Sequence, residues 1–95
     1  MSMFSRAHSG NLNTLRTAIH NWQTETDYNA EVSTWFDQVM HRTCIKAVIV
    51  HVHTREVLIE KDFTEYPNIH DEDVQTVAVA TWFNKQFNDY TGRFL

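Results

Sequence analysis

The first apolar positions of the chain recur at intervals of three and four residues. These positions are Leu12, Leu15, Ile19 and Trp22. Such spacing places side chains on one face of an α-helix, because 3.6 residues complete each turn. The pattern therefore predicts a first helix that begins near Ser9 or Asn11, since both residue types cap helices well.

The next segment, from about Asp27 to His41, has a similar distribution of apolar residues. Its apolar positions are Tyr28, Val32, Trp35, Phe36 and Val39. Intervals of three and four residues again match one face of a helix. We therefore expect a second amphipathic helix over about 27–41.

The hydrophobic period changes at Cys44, where β-branched residues become frequent. The stretches "CIKAVIVHVHT" (44–54) and "REVLIEKDF" (55–63) have the composition of β-strands. Because they follow each other directly, they predict an antiparallel hairpin that turns around Thr54 and Arg55.

The two faces of this hairpin follow from a register that places Val52 opposite Val57. Side chains alternate between faces along a strand, so one face is entirely apolar and is expected in the core. That face comprises Val48, Val50, Val52, Val57 and Ile59. The other face is mixed and is expected to be partly open to water. It comprises Ile49, His51, His53, Glu56, Leu58 and Glu60.

A last helix is predicted from about Asp71 to Tyr90, and Gly92 is a suitable C-terminal stop for it. A two-stranded hairpin is unstable alone, so the helices must pack on its apolar face. The expected fold is a single α+β domain over residues 1–95. Its order is helix-helix-β-hairpin-helix, with the helices on one face of a two-stranded antiparallel hairpin. Residues 1–8 are expected to form a flexible N-terminal segment.

Composition narrows the functional classes. Ninety-five residues allow one modest core, and a single cysteine, Cys44, excludes an internal disulfide and a cysteine-built metal site. We expect Cys44 to be buried beside Ile45 rather than to act as a nucleophile. No apolar run approaches the roughly 20 residues that span a bilayer, and residues 1–10 lack the apolar core of a signal peptide. We therefore expect a soluble intracellular protein.

Negative charge is concentrated in one part of the chain. The formal net charge is −4, and residues 56–73 hold seven acids against one base, Lys61. Nucleic-acid binding needs clustered Lys and Arg, so this distribution disfavours a nucleic-acid ligand. It favours a protein partner whose surface is basic.

The most concentrated charge is "HDEDV", residues 70–74, at the start of the last predicted helix. Acids in a first helical turn interact favourably with the positive end of the helix dipole, and His70 or Asp71 can cap the helix. The same carboxylates also project outward, where another molecule can contact them. A structural role and a binding role are therefore both open.

Catalytic and metal-binding interpretations of the histidines are weaker. His70 and Asp71 resemble the pair of the metal-dependent "HD" phosphohydrolases, with His41 and Asp89 as the remaining ligands, but that class builds its site inside a bundle of several helices. His51 and His53 share one strand face, a spacing that can hold a metal, yet the sequence dictates no third ligand. Phosphate-binding glycine loops and dinucleotide fingerprints are absent. We expect no catalytic, metal or cofactor site.

Several motifs together resemble one known family, the small early proteins of short-tailed lytic coliphages that inhibit the host dGTP triphosphohydrolase. The matching pieces, in order, are "SGNL" (9–12), Trp35 with Asp37, Arg42 followed by "CI" (44–45), "HDEDV" (70–74) and "TWFN" (81–84). The resemblance covers residues 9 to about 90. The chain departs from the family pattern at the hairpin turn, "HTRE" (53–56), and by a few extra residues around "EYPN" (65–68) and at its C-terminus.

The resemblance implies a non-enzymatic inhibitor that binds the host dGTP triphosphohydrolase in the host cytoplasm. That enzyme converts dGTP to deoxyguanosine and triphosphate, so its inhibition spares dGTP for phage DNA replication. No nucleic acid, membrane, small-molecule substrate or cofactor is implied. Because the enzyme must attract a polyanion, its entrance is expected to be basic, and we expect acidic residues to face it. The expected partner-binding residues are His70, Asp71, Glu72, Asp73, Glu56, Glu60 and Glu65.

A second function remains open from charge alone. An acidic adaptor, or a DNA mimic that blocks a host nuclease or defence complex, would also carry exposed carboxylates. A DNA mimic spreads acids along an extended surface, and a net charge of −4 over 95 residues is small for that role. Identification of the host protein that the chain binds would discriminate between the two functions.

Overall fold

The computed structural model describes residues 8–63 and 72–92. Within them the chain forms two helices and three strands in the order α1-β1-β2-β3-α2. Their bounds are α1 Ser9–Glu25, β1 Tyr28–Asp37, β2 Arg42–His51, β3 Val57–Asp62 and α2 Glu72–Thr91. The class is α+β, but the predicted helix-helix-β-hairpin-helix order is wrong, because the sheet has three antiparallel strands rather than two.

The segment predicted as the second helix is the strand β1. Every residue of β1 pairs with β2, from Tyr28 opposite His51 to Asp37 opposite Arg42. The error has a physical cause, because residues four apart share a face in a helix and also in a strand. Tyr28 and Val32 therefore face the core in the strand as they would in a helix, and both pack against it. The β-branched and aromatic residues of β1, among them Val32, Thr34 and Trp35, favour the strand.

The predicted strands at residues 44–63 are confirmed, but their register and inward face are wrong. The core side of β2 holds Ile45, Ala47 and Ile49, whereas the prediction placed Val48 and Val50 inward. Val50 is nevertheless buried, although it lies outside this cluster. Val52 lies in the turn after β2, and Val57 pairs with Val50 instead. Both faces of β2 are apolar enough to be buried, so alternation alone could not select the inward one.

An irregularity in the β2–β3 pairing separates residues that the prediction placed on one face. Ile49 pairs with Ile59, but the next pair is Val50 with Val57, so Leu58 is an extra residue on β3. Such a bulge shifts the alternation of side chains by one position. Val57 and Ile59 consequently lie on opposite faces of the sheet.

The two helices run in the same direction on one face of the sheet. Near their starts, the Asn11 side-chain amide donates a hydrogen bond to the Asp73 carboxylate at 2.9 Å. Further along both helices, the indole N–H of Trp22 donates to the carbonyl oxygen of Phe83 at 3.0 Å, and the Trp22 and Phe87 rings pack edge to face at 5.5 Å. These two contacts fix the relative orientation of α1 and α2.

Both helix predictions at the ends of the chain are confirmed. α1 begins at Ser9, although the cap is His8, whose Nδ1 accepts a hydrogen bond from the N–H of Gly10. Residues 1–7 of the predicted flexible segment lie outside the described residues. Gly92 follows α2 with a φ of 70°, a left-handed conformation that glycine adopts readily at a helix end.

The core lies between the helices and the sheet. Its buried members are Leu15, Ala18, Trp22, Ala30, Ile45, Ala47, Ile49, Phe63, Val79, Ala80, Phe83 and Phe87. Cys44 is buried, as predicted, and forms no disulfide.

Neither α1 nor α2 is long and apolar enough to cross a bilayer.

Candidate functional site

The acidic start of α2 is only partly described. Glu72 is the first residue of α2, whereas Glu65, His70 and Asp71 lie outside the described residues. Asp73 is therefore the acid of this region whose contacts the structure describes. Its side chain shows what one of the predicted outward acids does.

The Asp73 carboxylate joins the starts of the two helices. Its Oδ1 atom accepts one hydrogen bond from the Asn11 side chain and another from the backbone N–H of His8. The Asn11 bond, and then the His8 N–H, hold the pKa of the Asp73 carboxyl below its ordinary value. Asp73 thus has a structural role in joining the two helices, and its predicted role in binding a partner stays a prediction.

Glu60 lies on the sheet face opposite the helices. Its carboxylate is 3.4 Å from the ammonium nitrogen of Lys46, and both side chains are well exposed. A second ion pair lies nearby on this face, where Arg55 donates two hydrogen bonds of 2.9 Å to Glu31. This bidentate contact is the main reason that the pKa of Glu31 is lowered and that of Arg55 is raised. This face therefore carries paired charges of both signs.

Glu56 lies at the opposite end of the molecule from Asp73. Its carbonyl oxygen accepts a hydrogen bond from the N–H of His51, and the adjacent Val52 N–H donates to the carbonyl of Asp27, just beyond the end of α1. Asp73, in contrast, contacts the start of α1. Seventeen helical residues span about 25 Å at 1.5 Å per residue. Glu56 and Asp73 therefore cannot belong to one compact patch, and the binding role of the seven predicted residues stays a prediction.

The residues of the catalytic alternative are also far apart. His41 lies in the turn between β1 and β2, whereas Asp89 lies in the last turns of α2 and accepts a hydrogen bond from Lys85 at 3.2 Å. Tyr28, at the start of β1, contacts the ring of Tyr90, so the length of β1 separates Asp89 from His41. A strand of ten residues extends about 33 Å.

The two strand histidines are neighbours but are already engaged in the turn. The rings of His51 and His53 are 5.9 Å apart, and the Nδ1 atom of His51 accepts hydrogen bonds from the backbone N–H groups of His53 and Thr54. Among residues 8–63 and 72–92, no group of three or more His, Cys, Asp or Glu side chains is arranged to hold a metal ion. His51 therefore organises the β2–β3 turn.

Among the described residues, four exposed large apolar side chains lie close together in sequence at the turn between β1 and β2. We call this turn and the residues that flank it the hairpin tip (residues 35–41). Its four large apolar side chains are Trp35, Phe36, Val39 and Met40, with exposed fractions of 45%, 57%, 87% and 59%. Exposed apolar side chains grouped in this way are characteristic of interaction sites. None of the seven acidic and histidine residues predicted from sequence lies in the tip.

Two other apolar surfaces lie elsewhere on the described part of the molecule. One is a cavity of about 280 Å³ between β3 and the end of α2, where Leu58, Ile59 and Tyr90 form much of the lining. The other is an apolar hollow on α2 lined by Val74 and Val77, both about half exposed. The first is smaller than the roughly 300–1,000 Å³ of ordinary small-molecule sites.

Comparison with known proteins gives a family for the whole chain. Residues 1–95 match the family model described as "Bacteriophage T7-like, gene 1.2". The chain belongs to this family. A search of curated proteins gives no match. The resemblance found in the sequence is thereby confirmed as membership of a bacteriophage protein family.

Sequence reasoning missed the hairpin tip of this gene 1.2 family member. Trp35, Phe36 and Val39 were assigned to the apolar stripe of a helix, which would have buried them. A signal was nevertheless present, because "WF" and "VM" flank the polar pair Asp37-Gln38. Neighbouring residues point in different directions in a helix and in a strand, so one face cannot bury both members of each apolar pair.

Proposed function

We propose that this protein is a non-enzymatic inhibitor of the host dGTP triphosphohydrolase that spares dGTP for phage DNA replication. The observation that carries the proposal is the match to the T7-like gene 1.2 family over residues 1–95. The protein performs no reaction of its own and acts by forming a complex with the enzyme in the host cytoplasm.

Charge provides the first component of recognition. An enzyme that binds a nucleoside triphosphate must hold a polyanion, so its entrance carries positive potential. A chain with a net charge of −4 is attracted to such an entrance. Complementary charge raises the association rate and selects the partner more than it strengthens the final complex.

The acidic start of α2 is the part of the chain that supplies this charge. Because Asp73 is hydrogen-bonded to His8 and Asn11, its replacement would disturb the contact between the helices as well as any interface. Asp71 and Glu72 are therefore the better positions for a test. Their isosteric replacement removes two charges and leaves the Asp73 contacts in place.

The test compares Asp71→Asn/Glu72→Gln with a variant of equal charge, Asp27→Asn/Asp89→Asn, at two acids outside the predicted binding set. Both control residues lie near the end of α1, far from the start of α2. Association rates with the purified host enzyme are measured by surface plasmon resonance at low and physiological salt. We expect the first variant to associate more slowly and to lose much of its salt dependence, while the control variant retains the behaviour of the original chain.

The outcomes separate the site from the function. Equal effects of the two charge variants would reject the start of α2 as the steering surface but leave inhibition intact. A chain that fails to bind the enzyme at all rejects the proposed function. Recovery of a restriction or recombination complex from host lysate would support the acidic adaptor or DNA mimic instead.

A further inference from the structure

We propose that the hairpin tip is the apolar anchor of the complex, inserted into an uncharged concave site on the partner enzyme. This inference rests on the proposed function and names the surface through which it operates. It concerns Trp35, Phe36, Val39 and Met40, none of which belongs to the acidic surface inferred from the sequence.

The tip extends beyond the three-stranded part of the sheet. β3 pairs with β2 only from Val50 to Lys46, whereas β1 and β2 remain paired as far as Asp37 and Arg42. Among the described residues, the final pairs of the hairpin therefore form a two-stranded ribbon beyond the end of β3. A ribbon of this kind can enter a concave surface that the flat face of the sheet cannot reach.

The backbone of the tip is fixed before any partner binds. The Asp37 carboxylate accepts hydrogen bonds from the N–H groups of Val39 and Met40 at 3.0 and 3.2 Å. His41 closes the turn in a left-handed conformation with a φ of 52°, and its ring packs near Phe36 at 6.5 Å between centroids. An ordered turn loses little conformational entropy on binding, which favours affinity.

The electrostatics of the tip specify an uncharged counterpart. Asp37 is the only carboxylate from residue 35 to residue 41, and its Oδ1 atom already accepts two backbone hydrogen bonds. The four apolar side chains therefore present little charge to a partner. Recognition then has two separate parts. The acids elsewhere on the chain attract the partner over a long range, and the tip makes the close apolar contact. Many interfaces similarly have an apolar centre and a polar rim.

Buried area favours the enzyme over a second copy of this chain. With 150–250 Å² for each aromatic side chain, complete coverage of the four exposed side chains buries on the order of 400–500 Å². Two tips in contact would bury about 1,000 Å² or less in total, below the roughly 1,200–2,000 Å² of stable interfaces. A larger concave partner also covers the flanking surfaces and reaches the required area.

The experiment measures inhibition of dGTP hydrolysis by Phe36→Thr and by the double variant Val39→Thr/Met40→Thr. Threonine retains strand propensity at position 36, and the side chains at 39 and 40 take no part in the Asp37 hydrogen bonds. The matched control is Val57→Thr, which makes the same chemical change at a half-exposed valine of β3. Each tip variant should raise the inhibition constant at least about tenfold, as truncation of a central anchor does, and the control less than about threefold.

Further measurements decide among the alternatives. Equal inhibition by the original chain and both tip variants overturns the inference while the proposed function stands. Tip variants that lose thermal stability without losing inhibition overturn it too, because the tip would then pack within its own chain. A dimer in sedimentation equilibrium that the double variant abolishes would assign the tip to a second copy. Failure of the original chain to inhibit removes the proposed function and this inference together.

Discussion

Replacement of Trp22 by phenylalanine tests the contact that joins the two helices. The Trp22 side chain is fully buried, and its indole N–H donates a hydrogen bond to the Phe83 carbonyl at 3.0 Å. Its ring also packs against Phe87 and Tyr90, with centroids 5.5 and 5.6 Å away. The variant keeps an aromatic ring but removes the hydrogen bond and part of the buried volume.

The magnitude follows from these two losses. A buried hydrogen bond contributes about 1 kcal/mol net to the free energy of unfolding. The smaller ring leaves a cavity on the order of 30–40 Å³, which costs about 1 kcal/mol at roughly 24 cal/mol per Å³. We therefore expect Trp22→Phe to lower the free energy of unfolding by about 2 kcal/mol. For a domain of this size, the melting temperature should fall by about 8–16 °C.

Urea denaturation followed by far-UV circular dichroism measures this change without depending on tryptophan fluorescence. Trp82→Phe is the control, because Trp82 is only partly buried and packs against Phe63 at 6.2 Å between centroids. The control should lose about 1 kcal/mol or less. Equal denaturation midpoints for the two variants would refute the assignment of Trp22 as the principal link between the helices.

Three further changes test other parts of the fold. Ala47→Leu should lower the free energy of unfolding by about 1–3 kcal/mol, because Ala47 is completely buried beneath the helices, and an unchanged urea midpoint would contradict this packing. His41→Gly should raise the melting temperature, because glycine adopts without strain a left-handed conformation that costs other residues about 1–2 kcal/mol. Val39→Gly is the control, because the backbone at Val39 is not left-handed. Asp73→Asn should flatten the acid limb of the stability profile. Because the pKa of Asp73 is lowered in the folded state, its carboxylate stabilises the fold above about pH 4, and this stabilisation is lost as the pH falls through the folded-state pKa. Parallel curves of unfolding free energy against pH for the variant and the original chain would contradict this role of Asp73.

The helices α1 and α2 and the positions of β2 and β3 were predictable because local signals agree there, whereas the register of β2 and β3 was not. The spacing of Leu15 and Trp22 indicates the helix α1. Gly92 indicates the end of α2, where it adopts a left-handed conformation. β1 was not predictable by the same means. Its apolar residues satisfy helical and strand periodicities together, and pairing with β2 decides between them. That pairing is a tertiary interaction, which no local pattern contains.

The candidate site was predictable only in part, for a related reason. Sequence adjacency identified the acids at 71–73, but it could not show that Asp73 bonds to Asn11, 62 residues earlier. It also grouped Glu56 with these acids, although the length of α1 separates Glu56 from Asp73. The hairpin tip could not be predicted from a helix over 27–41, because such a helix would have turned Trp35, Phe36 and Val39 toward the core. These side chains are recognised as exposed only when residues 28–37 form a strand.

The proposed inhibition of the host dGTP triphosphohydrolase by complex formation is tested most directly by titration of the purified enzyme. Triphosphate release from dGTP is measured while the chain is added up to and beyond equimolar amounts. The account predicts that release falls as the complex forms and that both proteins elute together on size exclusion. Unchanged release at excess chain, with the two proteins eluting separately, would contradict it.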